Sequence, residues 1–185
     1  SFVIKLYATM SVFQSPFTCK LVGPSGSGKT VILSEILKHR ESLFDTQPDT
    51  IYYCYSRWQD VFNSMEGVKF HEGMIDLDET SSNSLIIFDD LMSEIEDDLS
   101  VLKLFTVDSH HQNKSVFFLS QNLFSKGKYS RTINLNVHYL FLFNNPRDEQ
   151  QIHVLGRQMF PRNSNFLIEA YEDATSVEFG YLFLD

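Results

Sequence analysis

The sequence predicts an α/β fold around a mainly parallel sheet. Three observations carry that expectation. Short apolar runs alternate along the chain with helical stretches, the pattern of repeated strand–helix–strand units. Two of the runs, Ser84 to Phe88 and Ser115 to Leu119, are nearly continuous in apolar residues, as strands buried on both faces require. The first run, Phe17 to Val22, feeds a Gly/Ser-rich loop that opens into a helical pattern.

Taken in order, Phe17 to Val22 reads as a strand and Thr30 to His39 as a helix, with Val31, Ile32, Ile36 and Leu37 suggesting one apolar face. Ile51 to Tyr55 is a second strand, Gln59 to Met65 a short helix and Val68 to His71 a short extended segment. Asp76 to Asn83 is a polar loop before the buried strand Ser84 to Phe88. Leu99 to His110 is helical, Ser115 to Leu119 a strand, Gly127 to Ser130 a loop and Val137 to Phe143 a strand. Asn145-Pro146 marks a turn. Asp148 to Leu155 is a helix expected to stop at Gly156, Ser164 to Ala174 a last helix, and Gly180 to Leu184 a closing strand.

Composition narrows the class. A chain of 185 residues with 43% hydrophobic content suits one domain with a sizeable core. Its 17 Phe and 8 Tyr argue against disorder. No apolar run approaches the roughly 18 residues of a membrane span. The chain opens at Ser1 without an initiator Met and without the layout of a signal peptide. The expectation is a piece of a longer protein that is not secreted. Cys19 and Cys54 then read as reduced thiols filling the core. The net charge of −9 counts mildly against coating nucleic acid by bulk electrostatics, so DNA contact needs a local basic patch or an assembly.

The strongest motif is Gly23-Pro24-Ser25-Gly26-Ser27-Gly28-Lys29-Thr30, which fits G-x-x-x-x-G-K-[ST] in full. Glycines let the backbone curl its N–H groups toward phosphates, and the following helix turns its positive end to the anion. Lys29 reaches the β- and γ-phosphates as a point charge, and the Thr30 hydroxyl ligates Mg²⁺. The expected nucleotide-binding set is Gly23 through Thr30 together with Val31. Downstream, Leu85-Ile86-Ile87-Phe88-Asp89-Asp90 is an apolar run ending in two acids, the Walker B pattern. Asp89 is expected on the metal and Asp90 on the attacking water. In Ser120-Gln121-Asn122, directly after the next strand, Gln121 is the expected sensor of the γ-phosphate.

This ordered set resembles the FtsK/HerA superfamily of P-loop motor ATPases. Within it the chain looks like the poxvirus-type genome-packaging ATPases of large DNA viruses and their virus-like transposon relatives, the polintons and adintoviruses. The resemblance runs from about Phe17 to Asp185. Its particular matches are Ile51-Tyr52-Tyr53, Ile86-Ile87-Phe88-Asp89-Asp90-Leu91, His110-His111-Gln112-Asn113, Ser120-Gln121-Asn122-Leu123-Phe124 and Asn145-Pro146-Arg147-Asp148. It implies a three-layer α/β/α, RecA-like domain with the sensor strand between the Walker A and Walker B strands. It also implies ATP and Mg²⁺ as cofactors and a homo-oligomeric ring that pulls double-stranded DNA into a capsid. A capsid or portal protein would be a further partner and no membrane would be involved. The setting implied is intracellular, at a nuclear or cytoplasmic assembly site, or with the virion. The family's second acid is often Glu; here it is Asp90.

Such rings lend an arginine to a neighbouring site. The candidates in order are Arg131, in the basic loop Lys126-Gly127-Lys128-Tyr129-Ser130-Arg131, then Arg147, then Arg57. Lys126, Lys128 and Arg131, with Lys114 nearby in sequence, form a basic cluster that either faces DNA or is a soluble loop. Glu94-Ile95-Glu96-Asp97-Asp98 reads as a solvated helix start. His110-His111 reads as a helix C-terminal pair rather than a metal site. Trp58 reads as packing, with stacking on adenine as the alternative. The expected activity is ATP hydrolysis driving duplex DNA. The rivals are a nucleotide or small-molecule kinase, disfavoured by the paired acids, and a non-catalytic nucleotide switch.

Overall fold

The structure is a computed structural model that describes residues 11–106, 112–147 and 149–185. Seven strands form one sheet: β1 (Thr18–Val22), β2 (Thr50–Tyr55), β3 (Val68–Glu72), β4 (Ser84–Asp89), β5 (Ser115–Ser120), β6 (Tyr139–Phe143) and β7 (Tyr181–Leu184). Their order is β3-β2-β4-β5-β1-β6-β7. Every pairing is parallel except β6 with β7, where Phe143 lies opposite Tyr181. β5 therefore runs between β1 and β4, as the sequence led one to expect, with Leu21 opposite Leu119 and Asp89 opposite Leu119.

The helices are α1 (Lys29–Lys38), α2 (Arg40–Leu43), α3 (Met92–Ile95), α4 (Leu99–Thr106), α5 (Ser130–Leu135), α6 (Glu149–Met159) and α7 (Asn165–Ala174). Short 3₁₀ turns occupy Asp60–Ser64 and Leu77–Glu79. The expected helix to His110 is seen as far as Thr106, and His110-His111 and Asp148 lie outside the described residues. Among the described residues no helix is long and apolar enough to cross a membrane.

Alternation in the central strands builds three layers. Leu85 and Ile87 of β4, with Phe117 and Leu119 of β5, join Ile32, Leu33, Ile36 and Leu37 of α1 in one cluster. Their neighbours Ile86, Phe88, Val116 and Phe118 join Leu91, Ile95, Val101, Leu104 and Ile133 in another, which α3, α4 and α5 cover. Both faces of these strands are thus buried, which is why they read as unbroken apolar runs. Phe13, Phe17, Phe44, Phe117 and Tyr139 interlock at the N-terminal end of β1, mostly edge to face, with the pair Phe13 and Phe17 tilted. Burying each such ring stabilises the fold by about 1.5–3 kcal/mol. Cys19 and Cys54 are free and buried in these clusters, and burial pushes both thiols above their ordinary pKa, Cys54 to about 11.

Two expectations are corrected. The helix expected to stop at Gly156 continues to Met159 as α6. Gly156 is buried in mid-helix, and a Cβ there would lie 2.9 Å from the Ser164 carbonyl, so the glycine permits close approach of α7 rather than a stop. The loop ending at Ser130 is followed by α5, which the sequence did not suggest.

Candidate functional site

In a parallel sheet the C-terminal strand ends face one crevice, and ligands collect there. β1 ends in the Gly23–Thr30 loop, β4 in Asp89 and Asp90, and β5 in Ser120 and Gln121. The Gly23 N–H donates to the Ser120 carbonyl (3.1 Å), tying the loop to β5. A Cβ on Gly23 would lie 2.6 Å from the Phe143 Cβ and 2.7 Å from Ser27 Oγ, so no side chain fits. Gly28 holds φ +99°, a left-handed turn that starts α1 with its N–H groups facing outward from the helix end. Among the described residues, Ser27 Oγ is buried with no hydrogen-bond partner. Such an orphan polar atom inside a phosphate-type cradle fits an anion.

Lys29 Nζ donates to the carbonyls of Gly23 (2.7 Å) and Pro24 (2.9 Å). Burial lowers its pKa, while the nearby charges of Asp89 and Asp90 pull it back up. The cation and the acid pair therefore share one electrostatic neighbourhood. Asp89 is 5% exposed and accepts two bonds at Oδ2, from the Tyr53 hydroxyl (2.8 Å) and Gln59 Nε2 (3.1 Å). Burial raises its carboxyl pKa, and Tyr53 and Lys29 oppose that rise. The Thr30 side chain lies beside the same Tyr53 hydroxyl, where it counters part of the burial-driven rise in the phenol's pKa. One buried phenol thus neighbours both residues expected to hold a magnesium ion. Hard oxygen donors of this kind suit Mg²⁺, which takes only one or two protein ligands and fills its shell with phosphate and water.

Asp90 is exposed and sits at φ +59°, so the chain turns left-handed immediately after Asp89. Its N–H reaches the Leu119 carbonyl (3.3 Å), and its Oδ1 accepts from Gln121 Nε2 (3.3 Å). The expected water-activating acid and the expected sensor amide are therefore in contact, across adjacent strand ends.

The other expected residues are dispersed. Val31 is 45% exposed at the start of α1. Arg57, Arg131 and Arg147 are all exposed, Arg131 in the first turn of α5. Lys126 and Lys128 are exposed beside it in sequence, but Lys114 does not belong to their cluster. Lys114 is 2% exposed and donates to the Leu77 carbonyl (3.1 Å). The acidic run is a helix start only in part: Glu94 is exposed in the first turn of α3, and Asp98 Oδ1 accepts from the Ser100 N–H (2.7 Å) at the start of α4, but the middle of the run is not solvated. Ile95 and Glu96 are buried, and Glu96 accepts from Ser125 Oγ and the Gly127 N–H (3.2 Å) while Asp97 accepts from the Lys128 N–H (2.8 Å). This clamps the basic loop that follows the sensor. Beneath it Lys20 of β1, 1% exposed, donates to the Leu123 carbonyl (2.8 Å) and Asn134 Oδ1 (2.9 Å). Burial lowers its pKa to about 8 against the pull of Glu96. Trp58 packs on Tyr55, Phe62 and Phe70 at the β2–β3 end of the sheet.

Sequence reasoning did not find Tyr53 or Gln59 as partners of Asp89, nor Lys20 and Glu96 as a buried pair. The only available signal was a charged residue inside an otherwise apolar strand, Lys20.

No protein-family model matches the sequence, and no curated protein matches it. Among solved structures the chain is similar to the genome packaging NTPase B204 from Sulfolobus turreted icosahedral virus 2. With the sulfate complex the TM-score is 0.61 at 12% identity, covering 92% of each chain. With the AMP complex it is 0.59 at 10% identity, covering 91% of this chain and 92% of that one. With the ATP-gammaS complex it is 0.57 at 10% identity, covering 91% of each. At this identity the likeness shows a common fold, the α/β fold of a P-loop NTPase.

Proposed function

We propose that this chain is an ATP-hydrolysing motor that translocates double-stranded DNA and packages the genome of a virus or virus-like transposon. The observation that carries the hydrolytic part is the convergence of Lys29, Asp89, Asp90 and Gln121 at adjoining strand ends. The fold shared with a genome packaging NTPase supports the packaging part. The poxvirus-type placement rests on the sequence motifs.

The reaction is attack of water on the γ-phosphorus. Backbone N–H groups of Ser25, Gly26 and Gly28 cradle the phosphates, and Lys29 exchanges its carbonyl partners for the β- and γ-oxygens. Thr30 and Asp89 would hold Mg²⁺, which supplies charge neutralisation for the phosphates. Asp90 takes the proton of the attacking water, and the Gln121 amide, already on Asp90, orients that water. Loss of the γ-phosphate frees Gln121, and the loop clamped by Glu96 and Asp97 carries the change to Lys126, Lys128 and Arg131. In a ring, Arg131 is the first choice for the residue that reaches a neighbour's site, ahead of Arg147 and Arg57. The net charge of −9 makes ring formation the means of gathering basic loops around DNA. Such a motor acts inside the host cell, in the nucleus or at a cytoplasmic assembly site, with a capsid or portal protein as its docking partner.

The test is ATP turnover with and without linear duplex DNA, alongside the mass of the assembly. The proposal expects turnover that DNA stimulates and a closed oligomer. Hydrolysis by a monomer indifferent to DNA would overturn the motor. Phosphate transfer that requires a small-molecule acceptor would make the chain a kinase.

A further inference from the structure

Gly23 through Thr30 form the expected phosphate cradle, and no residue described so far is placed to hold the base. The sheet order says where a base must lie. Asp89, Asp90 and Gln121 sit on β4 and β5, on one side of β1, whereas β6 and β7 lie on its other side. A triphosphate whose γ end meets the acids leaves its ribose and base toward β6 and β7.

A cavity of about 230 Å³ opens there, between the outer side of the phosphate loop, Pro24 to Ser27, and Asn144, Glu178 and Phe179. Phe179 is 49% exposed and held at φ +58°, a left-handed conformation that is uncommon for an aromatic residue. The turn that presents it is firmly built. The Gly180 N–H closes on the Val177 carbonyl (2.9 Å), and a Cβ on Gly180 would lie 2.4 Å from the Ala174 carbonyl. The Tyr171 hydroxyl donates to the Phe143 carbonyl (3.0 Å) and accepts from the Asn145 N–H (2.8 Å), while Asn144 Nδ2 donates to the Thr175 carbonyl (3.1 Å). These bonds lock the end of α7 to the end of β6. The ring itself lies against the phosphate loop, since a Cβ on Gly28 would be 3.5 Å from Phe179 Cδ1. Strain held at an exposed side chain in a well-tied turn is a mark of a functional position.

We propose that Phe179 is the stacking platform for a purine base, so that the site takes a purine nucleoside triphosphate. The inference rests on the nucleotide-binding reading above and adds the base subsite to it. A flat ring gains from any base face, and a purine offers more of it than a pyrimidine. Trp58, the aromatic the sequence offered for this role, is engaged with Tyr55, Phe62 and Phe70 at the far end of the sheet.

The test is titration calorimetry of the full chain with ATP, CTP and inorganic tripolyphosphate in Mg²⁺. Phe179→Ala should weaken ATP about ten-fold and leave tripolyphosphate unchanged, and Phe179→Trp should restore ATP binding. Phe179→Gly relaxes the left-handed backbone, so it keeps the fold while showing the same loss. Trp58→Ala should leave ATP affinity as in the wild type, and the wild type should bind CTP several-fold more weakly than ATP. Wild-type ATP affinity in Phe179→Ala, or an equal loss of tripolyphosphate, would overturn the subsite. Equal affinity for ATP and CTP would overturn the purine assignment. Wild-type protein that binds neither ATP nor tripolyphosphate would refute the nucleotide reading beneath it.

Discussion

Tyr53→Phe removes one oxygen from the interior of the site. Tyr53 is fully buried and donates to Asp89 Oδ2 at 2.8 Å. Phe fills the same space, so no cavity term enters, and the loss reduces to a hydrogen bond made to a charged acceptor, about 2 kcal/mol. For a chain of 185 residues that lowers Tm by about 4–8 °C. The sign of the pH effect follows from Asp89. Its folded carboxyl is raised, chiefly by burial. The folded protein therefore holds this proton where the unfolded chain has released it, and stability falls as pH rises from the ordinary carboxylate value through the folded one. Removing a donor that favours the charged form lifts the folded value further. The acid limb of ATP hydrolysis should accordingly move to higher pH. The assay is thermal denaturation at neutral pH of wild type, Tyr53→Phe, Asp89→Asn and the double variant, with pH–rate profiles of the first two. In the Asp89→Asn background, removal of the hydroxyl should cost about 1 kcal/mol, the value of a neutral pair. An equal loss in both backgrounds, or an acid limb that stays or moves down, would refute the assignment of Tyr53 as the residue that positions Asp89.

The left-handed turn at Asp90 makes a second expectation. Asp90→Gly should leave the fold as stable as wild type or up to about 1 kcal/mol more so, while phosphate release falls to background; a loss of stability would show that the turn depends on the side chain. Lys20 gives a third. Its pKa falls from 10.5 to about 8, equivalent to about 3 kcal/mol. A lowered lysine leaves the folded state with fewer protons than the unfolded one between those values, so stability gains with rising pH. Urea denaturation should show wild type gaining about 3 kcal/mol on Lys20→Met between pH 8 and pH 10.5. A constant difference would contradict the burial of a charged Lys20.

What was legible in the sequence is what the chain writes contiguously. Gly23 to Thr30 must be adjacent to curl around a phosphate, and Asp89-Asp90 follow their own buried strand. Sheet order followed from the motif order carried by the family resemblance. Tyr53 and Gln59 were not legible because only the register of β2 against β4, with Tyr55 opposite Asp89, brings them to that carboxylate. Glu96 reads as one acid among several until Lys20, far away in sequence, is found beneath the same loop. α5 escaped notice because Ile133 is buried while Leu135 is 74% exposed, so the segment shows no apolar stripe. Phe179 carries no sequence signal at all, since its position depends on a turn fixed by Tyr171 and Asn144.

Hydrolysis as proposed requires Lys29 and Asp89 to act on the same triphosphate. The most direct measurement is phosphate release from Mg²⁺-ATP, with duplex DNA present and no other acceptor, by purified wild type and Lys29→Ala. Release by the wild type and only background from the variant is the expected result. Full turnover in a clean preparation of Lys29→Ala would contradict it.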